Sequence, residues 1–88
     1  MEIRVIEESK NSLVFEIAGV SHGFCNLLKE ELSGDDSVKA VAYRIDHPLI
    51  GVPRIKVAGS DPRASVKKAV KRARKMAEEF EKEAKKLR

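Results

Sequence analysis

The sequence predicts an α+β domain of two layers, in which a four-stranded antiparallel sheet carries two helices on one face in the order ββαββα. Four short segments are rich in β-branched residues or alternate between apolar and polar residues. Two further segments repeat apolar residues at helical spacing, and turn residues separate the segments. This succession favours helices packed on one side of an antiparallel sheet. The 88 residues are predicted to form one domain, residues 1–88.

The bounds of all four strands are predicted, and the first two are predicted to pair. Glu2–Glu8 sets β-formers among charges, and Ser12–Ala18 alternates cleanly until Gly19, so these two segments should form a hairpin. Val38–Asp46 and Arg54–Val57 are the third and fourth predicted strands, separated by a connection bounded by two prolines. Apolar residues occur at both odd and even positions of Val38–Asp46, so we expect both faces of that strand to be partly covered.

The first helix is predicted to begin after Ser21, which can act as its N-cap, and to end near Leu32. Its apolar residues recur at i, i+3, i+4 and i+8, which places them on one face. These residues are Phe24, Leu27, Leu28 and Leu32. Cys25 lies beside them, and we expect it to be a buried structural residue.

The second helix is predicted from Pro62 to Arg88, with Asp61 as N-cap and neither Gly nor Pro inside it. It would be about 40 Å long, whereas a six-residue strand spans only about 20 Å. The sheet can therefore bury the first three or four turns, and an apolar seam should project beyond it. That seam consists of Met76, Phe80, Ala84 and Leu87. A frayed tail is the alternative, but a solvated tail would not need these apolar residues in register.

The composition favours a protein partner over a disulfide or a metal as the source of extra stability. A domain of this size is marginal alone, and it holds only three Phe, one Tyr and no Trp. Cys25 is the single cysteine, so no intrachain disulfide can form, and one Cys with two His makes no convincing zinc set. We therefore predict that the chain binds another protein through the four residues of the first helix and the seam of the second.

The basic character belongs to the C-terminal segment. Residues 1–60 hold seven Lys/Arg and nine Asp/Glu, whereas residues 61–88 hold eleven and five. Lys67, Lys71 and Arg74 are predicted on the polar face of the second helix, where they could contact phosphates or an acidic protein. A small nucleic-acid-binding protein that uses the 63–75 face is thus the alternative function. Stacking aromatics around this face are missing, which favours the solvated or protein-facing interpretation.

The sequence contains no pattern that predicts catalysis, a cofactor or a membrane span. No nucleophile and base recur at a catalytic spacing, and Gly19 and Gly23 are too isolated to form a phosphate loop. No apolar run approaches the roughly 20 residues of a transmembrane helix, and the N-terminus lacks the plan of a signal peptide. We expect a cytoplasmic protein that is not an enzyme by itself.

Three motifs in series resemble the subunit L family of archaeal RNA polymerases. In that family the first helix carries an acid–His–Ser/Thr pattern followed by Asn-Leu-Leu, which His22, Asn26, Leu27 and Leu28 match here. Tyr43 followed by His47, Pro48 and Leu49 matches the element at the end of the third strand, and Asp61-Pro62 opens the long helix as in the family. Ser21 replaces the family's acid, Gly23 replaces its Ser or Thr, and the loop after Pro48 is short.

The resemblance implies a two-layer ββαββα fold similar to the dimerisation domain of the bacterial α subunit. It also implies pairing with the larger α-like subunit (D), as a platform for the large catalytic subunits to which small subunits N and P attach. Such a subunit is part of a nucleotidyltransferase complex, carries no catalytic residue or metal ligand, and meets DNA only within that complex. The sequence leaves open whether the isolated chain self-associates.

Overall fold

The computed structural model describes residues 2–45 and 51–87 and has the predicted order of elements. The elements are β1 (Glu2–Glu8), β2 (Ser12–Ala18), α1 (His22–Ser33), β3 (Val38–Arg44), β4 (Arg54–Gly59) and α2 (Pro62–Ala84). The first two strands have the predicted bounds. The predicted end of the third strand at Asp46 and the motif residues His47, Pro48 and Leu49 lie outside the described residues.

The strands form one antiparallel sheet in the order β1-β2-β4-β3, so β1 and β3 lie at its edges. Phe15 at the centre of β2 is opposite Val5 of β1 on one side and Ile55 of β4 on the other. Both helices pack on the face to which Phe15 and Ile55 point. The core lies between them and consists of Leu13, Phe15, Ile17, Cys25, Leu28, Leu32, Ile55, Val57, Val66 and Ala69.

The opposite face of the sheet is open along β3. Ala40, Ala42 and Arg44 are exposed there, whereas Val41 and Tyr43 pack against the core. The prediction that both faces of this strand are partly covered was therefore wrong. The reason is that the two helices lie on the same face, and no other described element packs on the second one.

Both helices begin at the predicted caps. The Ser21 hydroxyl accepts a hydrogen bond from the backbone N–H of Phe24 at 3.1 Å, which satisfies one of the free donors of the first turn of α1. The Asp61 carboxylate does the same for Ala64 at 3.3 Å, with Pro62 following at the first helical position. Before α1, Gly19 turns the chain with a φ of 78°, a backbone conformation that favours glycine.

A polar cluster attaches the start of α2 to the turn between α1 and β3. The Asp35 carboxylate accepts hydrogen bonds from the Ser37 N–H at 2.9 Å and the Ser37 hydroxyl at 2.7 Å. The Ser37 hydroxyl is also 3.0 Å from that of Ser65 on α2, and Lys68 lies 3.6 Å from Asp35. The bonds from Ser37 hold the pKa of Asp35 at about 2, with a smaller contribution from Lys68.

Candidate partner-binding surface

The second half of α2 extends beyond the sheet, as its length predicts. Burial along the helix ends at Ala73, and Met76, Phe80 and Leu87 are 45%, 77% and 80% exposed. Eleven residues are close to three helical turns, so Met76, Phe80 and Ala84 continue the line of the buried Ser65, Ala69 and Ala73. We call Met76, Phe80, Ala84 and Leu87 the distal seam. The prediction that α2 continues through Leu87 was wrong, because the helix ends at Ala84 and Leu87 lies three residues past its end. The exposure of the seam residues is confirmed, and their contact with a partner stays a prediction.

Local ion pairs at its C-terminal end support the projecting segment, which has no described layer beneath it to pack against. Lys85 lies 3.9 Å from Glu81 at i,i+4, and Lys86 lies 3.4 Å from Glu83 at i,i+3. Each such exposed pair contributes only a few tenths of a kcal/mol, about 0.2–0.5. The segment therefore keeps helical order while leaving its apolar side chains in water.

An open apolar groove runs between β1 and α2. Its volume is about 690 Å³, and its floor is the helix-facing side of β1 and β2 together with two valines of α2. The floor residues are Ile3, Val5, Leu13, Phe15, Val66 and Val70. Ile3 and Val5 are 40% and 44% exposed because α2 lies over the centre of the sheet and leaves its β1 edge uncovered. We call this feature the β1–α2 groove.

Basic side chains form the α2 wall of the groove. Lys67, Lys71 and Arg74, the predicted phosphate or acidic-partner contacts, all line it, and Lys75 lies with them. Two further basic residues face α1 instead, where Arg72 lies 3.8 Å from Glu31 and Lys68 pairs with Asp35. Some basic residues of α2 therefore form ion pairs inside the chain, and the others form a positively charged edge along the apolar floor of the groove.

A bidentate ion pair closes one end of the groove. Arg63 donates from Nε and Nη2 to the two carboxylate oxygens of Glu8, at 2.8 and 2.6 Å. This geometry is the favourable one for a guanidinium and a carboxylate, and it lowers the pKa of Glu8. The pair joins the end of β1 to the first turn of α2 and so fixes the two walls relative to each other.

The first helix contributes less surface than predicted. Leu28 and Leu32 are fully buried in the chain's own core, so their assignment to a partner interface was wrong in this conformation. They point to the sheet together with Cys25, whereas Phe24 and Leu27 are partly buried at the margin. Only Phe24 and Leu27 of the predicted α1 set keep surface that a partner could contact.

Of the described family-motif residues, His22 has a clear structural role. Its Nδ1 lies 3.1 Å from the Tyr43 hydroxyl, which links the start of α1 to β3. Burial raises the pKa of the neighbouring Cys25 thiol, which is fully buried and free, as expected of a structural residue. Asn26 is exposed on α1. His22 and Cys25 therefore connect α1 to β3 and to the core.

The contribution of β1 to the surface was not predicted from the sequence. Ile3 and Val5 were interpreted only as β-formers, because their neighbours in the sheet could not be known.

Within residues 2–45 and 51–87, no helix combines the length and apolar character needed to span a membrane. The same part of the chain contains no group of three or more His, Cys, Asp or Glu side chains that could hold a metal ion.

Comparisons with known proteins identify the same family by profile and by individual relatives. The profile of the RNA polymerase Rpb3/Rpb11 dimerisation domain matches residues 12–83. DNA-directed RNA polymerase subunit Rpo11 of Methanothermobacter thermautotrophicus is 38% identical over 80 residues, which cover 91% of this chain and 92% of that protein. The Rpo11 subunit of Sulfolobus acidocaldarius is 41% identical over 80 residues, with 91% and 88% covered.

A solved structure agrees with these relatives. The crystal structure of DNA-directed RNA polymerase subunit L from Thermoplasma acidophilum matches with a TM-score of 0.76 and 32% sequence identity. The match covers 97% of this chain and 86% of that one. The fold, the profile and the relatives agree with the motif resemblance, and the chain therefore belongs to the Rpb3/Rpb11 dimerisation-domain family of RNA polymerase subunits.

Proposed function

We propose that the chain is the smaller α-like subunit of an archaeal DNA-directed RNA polymerase and pairs with the larger α-like subunit (D). The observation that carries this proposal is the distal seam, an ordered helix whose apolar line continues past the sheet that would bury it. Exposed apolar surface of this kind is typical of an interface that is completed by another subunit.

In this proposal the chain is an assembly subunit without a catalytic residue of its own. Its pair with the larger α-like subunit would act in the cytoplasm as the platform on which the large catalytic subunits assemble, with small subunits N and P attached. DNA would be met only through the complete polymerase. The support is the family membership together with a surface built for a protein partner.

The charge distribution favours a protein over a nucleic acid as the direct partner. Lys67, Lys71 and Arg74 border an apolar floor, whereas a phosphate backbone would need a polar surface between the cations. Burying the floor residues requires an apolar segment, and the cations suit acidic residues at the edges of that segment. A partner helix with an apolar stripe and acidic flanks meets both requirements.

A co-purification experiment with matched variants tests the proposal. The chain would be co-expressed with the tagged larger α-like subunit from the same organism, either unchanged or with Phe80→Gln, and the affinity measured. Burying a phenylalanine side chain stabilises by about 1.5–3 kcal/mol, so we expect Phe80→Gln to weaken the complex at least about tenfold. Lys82→Gln is the control, because it adds the same side chain on the polar side of the same helix.

The two variants separate the seam from general effects on the helix. Equal affinity of the unchanged chain and Phe80→Gln would refute the role of the seam. Failure of the unchanged chain to bind the larger α-like subunit would refute the pairing. Circular dichroism of both variants checks that α2 keeps its helix content. Leu28→Asp is unsuitable for this purpose, because Leu28 is a core residue.

A further inference from the structure

Two hydrogen bonds between the β2 and β4 segments fix the direction of the backbone groups in the sheet. Ile17 donates its N–H to the Pro53 carbonyl at 3.0 Å, and Gly59 donates its N–H to the Asn11 carbonyl at 2.9 Å. Along a strand of an antiparallel sheet, successive residues point these groups to opposite neighbours. The odd-numbered residues of β2 therefore bond to β4, and the even-numbered residues bond to β1.

The same alternation defines the free edge of β1. Arg4 is opposite Glu16, an even-numbered residue of β2, so the backbone groups of Arg4 bond to β2. Ile3 and Val5 on either side of it consequently point their N–H and C=O groups away from the sheet. In the described part of the chain, β1 is the first strand of the sheet order and has no strand beyond it. Its edge therefore offers two donors and two acceptors to a further strand.

This free edge borders the β1–α2 groove. The side chains of Ile3 and Val5 form part of the groove floor. A strand added beside β1 would lie about 4.8 Å from it, so every second side chain of that strand would continue the floor outwards. A helix laid on the floor would contact side chains and would leave the backbone groups of the edge without partners. The edge is therefore a feature that pairing between helices does not use.

A β-bulge limits how far a strand can be added. The register of β1 with β2 shifts between Val5 and Glu7, which bends the strand and disturbs its edge. Beyond the bulge, Glu8 turns to α2 and pairs with Arg63. The regular edge is therefore confined to the first half of β1. An edge this short accepts a short segment and disfavours the long edge-to-edge pairing that leads to aggregation.

The charges above the edge select an acidic occupant. Beside the ion pair that closes the groove, four cations and one carboxylate line its α2 wall. The cations are Lys67, Lys71, Arg74 and Lys75, and the carboxylate is that of Glu78. An added strand with apolar side chains next to the floor and carboxylates next to these cations complements both parts of the groove.

A second copy of the chain is a poorer occupant of this edge. Antiparallel pairing of two β1 strands could set Ile3 of one copy against Val5 of the other. It would then place the Arg4 side chains of the two copies directly opposite each other on the other face of the sheet. Like charges in that position are destabilising. The observations therefore favour a segment of a different protein.

We propose that the β1–α2 groove binds a short extended segment of a partner protein, which adds to β1 as a fifth, antiparallel strand of the sheet. The two residues of the segment opposite Ile3 and Val5 are apolar and exchange N–H···O=C bonds with them. The next residues that face α2, one on each side, are Asp or Glu. The main-chain bonds provide affinity, and the apolar and acidic positions provide specificity. This inference goes beyond the proposed function, which concerns pairing through helices.

A synthetic peptide with this pattern is the probe. In acetyl-Glu-Thr-Val-Thr-Val-Thr-Glu-amide, the valines lie opposite Ile3 and Val5, the glutamates flank them on the same face, and the threonines lie on the other face. The peptide would be titrated into the isotope-labelled full chain and followed by NMR. We expect saturable shifts of the Ile3 and Val5 amides, whereas the amides of β3 at the opposite edge should not shift. No saturable shift at millimolar peptide, or shifts at β3 instead, would overturn the proposal.

Methylation of the peptide's own backbone tests the strand addition itself. N-methylation of both valines removes the two donors that would meet the carbonyls of Ile3 and Val5, so we expect binding to weaken at least about tenfold. N-methylation of the central threonine is the matched control, because its N–H would point away from β1 and its loss should leave the affinity unchanged. Equal affinities of the two methylated peptides would mean that side chains alone hold the peptide, which contradicts strand addition.

A charge reversal in the groove wall tests the preference for acidic segments. Lys71→Glu should weaken binding of the peptide at least about threefold at low salt. Lys56→Glu is the control, because Lys56 is exposed on β4 between the buried Ile55 and Val57 and so lies on the face of the sheet away from the groove. It changes the net charge equally and should leave the affinity unchanged. Equal weakening by both variants would show a general attraction of charge and overturn the acidic specificity. Circular dichroism checks the helix content of both.

The outcome for the peptide is separate from that for the larger α-like subunit, whose binding is measured by co-purification. A chain that binds the larger subunit but not the peptide contradicts this inference and leaves the proposed function intact. A chain that binds the peptide through β1 but not the larger subunit supports this inference and contradicts the proposed function.

Discussion

The two halves of α2 carry similar residue patterns in different surroundings. The proximal half, residues 62–73, buries Val66, Ala69 and Ala73 against the sheet and α1. The distal half, residues 74–87, continues the same apolar line with larger side chains, yet Phe80 and Leu87 lie in water. The amphipathic pattern thus predicts which side of the helix is apolar. Whether that side is buried within the chain depends on whether the sheet extends beneath it.

The polar contacts show the same contrast. The proximal half is attached through Ser65, Lys68 and Arg72 to the α1 side of the molecule and through Arg63 to β1. In the distal half, the ion pairs of the described residues join Glu81 and Glu83 of the last turn only to Lys85 and Lys86 directly after it. The proximal half is therefore part of the fold, whereas the distal half is held as an extension that a partner can cover.

The largest difference is expected between truncating a side chain of the core, on which the proximal half packs, and truncating a side chain of the distal seam. Leu28 is fully buried, so Leu28→Ala should lower the free energy of unfolding by about 2–5 kcal/mol. Phe80→Ala should change it by no more than about 0.5 kcal/mol when the chain is dilute enough to be monomeric. Urea denaturation followed by circular dichroism measures both. Similar losses for the two variants would mean that the distal half is packed within the isolated chain.

A smaller effect is expected where β4 leads into α2. A Cβ on Gly59 would collide with the Ser37 carbonyl oxygen and lie 3.1 Å from the Val38 Cα, both backbone atoms that cannot move aside cheaply. Gly59→Ala should therefore destabilise the proximal attachment by about 1–3 kcal/mol. Gly23→Ala is the matched control, since its Cβ would meet only the Ser21 hydroxyl at 3.7 Å. That variant should be neutral or stabilising by at most about 1 kcal/mol.

Gly59→Ala should also affect the two halves of α2 differently. Hydrogen exchange of the α2 amides should become faster in the proximal half of Gly59→Ala, because the strand that supports this half has moved. The distal half should exchange at its original rate, since it has no contact with the sheet to lose. A uniform increase along the helix would show that the two halves unfold as one unit.

Local signals predicted most of the fold. The caps at Ser21 and Asp61 and the alternation of β2 depend on neighbouring residues, so the element bounds followed from the sequence within a few residues. The strand order depends on pairing between distant segments, which the sequence does not encode locally. The placement of β1 at the edge, and with it the β1–α2 groove, therefore became visible only in the structure.

The candidate surface was predicted only in part for a related reason. The distal seam followed from the length of α2 against that of a strand, which is a comparison the sequence allows. On α1 the spacing of Phe24, Leu27, Leu28 and Leu32 defined one apolar face, but periodicity does not say whether such a face meets a sheet or a partner. In the structure, Leu28 and Leu32 point to the sheet and are buried. The exposure of the seam was therefore predicted correctly, whereas the exposure of these two α1 residues was not.

The smallest expected effect is a pH dependence that belongs to the proximal half alone. Hydrogen bonds from Ser37 lower the pKa of Asp35 to about 2 in the folded chain, against an ordinary value of 3.8. The folded state therefore binds fewer protons than the unfolded state between these values, so the stabilisation by the Asp35 carboxylate is complete above about pH 4 and is lost as the pH falls towards 2.

Asp35→Asn should lower the Tm at pH 5 and differ less from the unchanged chain at pH 2. Asp36→Asn, at the exposed neighbouring position, is the control, and its difference in Tm from the unchanged chain should be the same at pH 5 and at pH 2. Parallel curves for Asp35→Asn and the unchanged chain from pH 5 to 2 would show that the cluster holds α2 through neutral hydrogen bonds, and the proximal attachment would then be independent of the carboxylate charge.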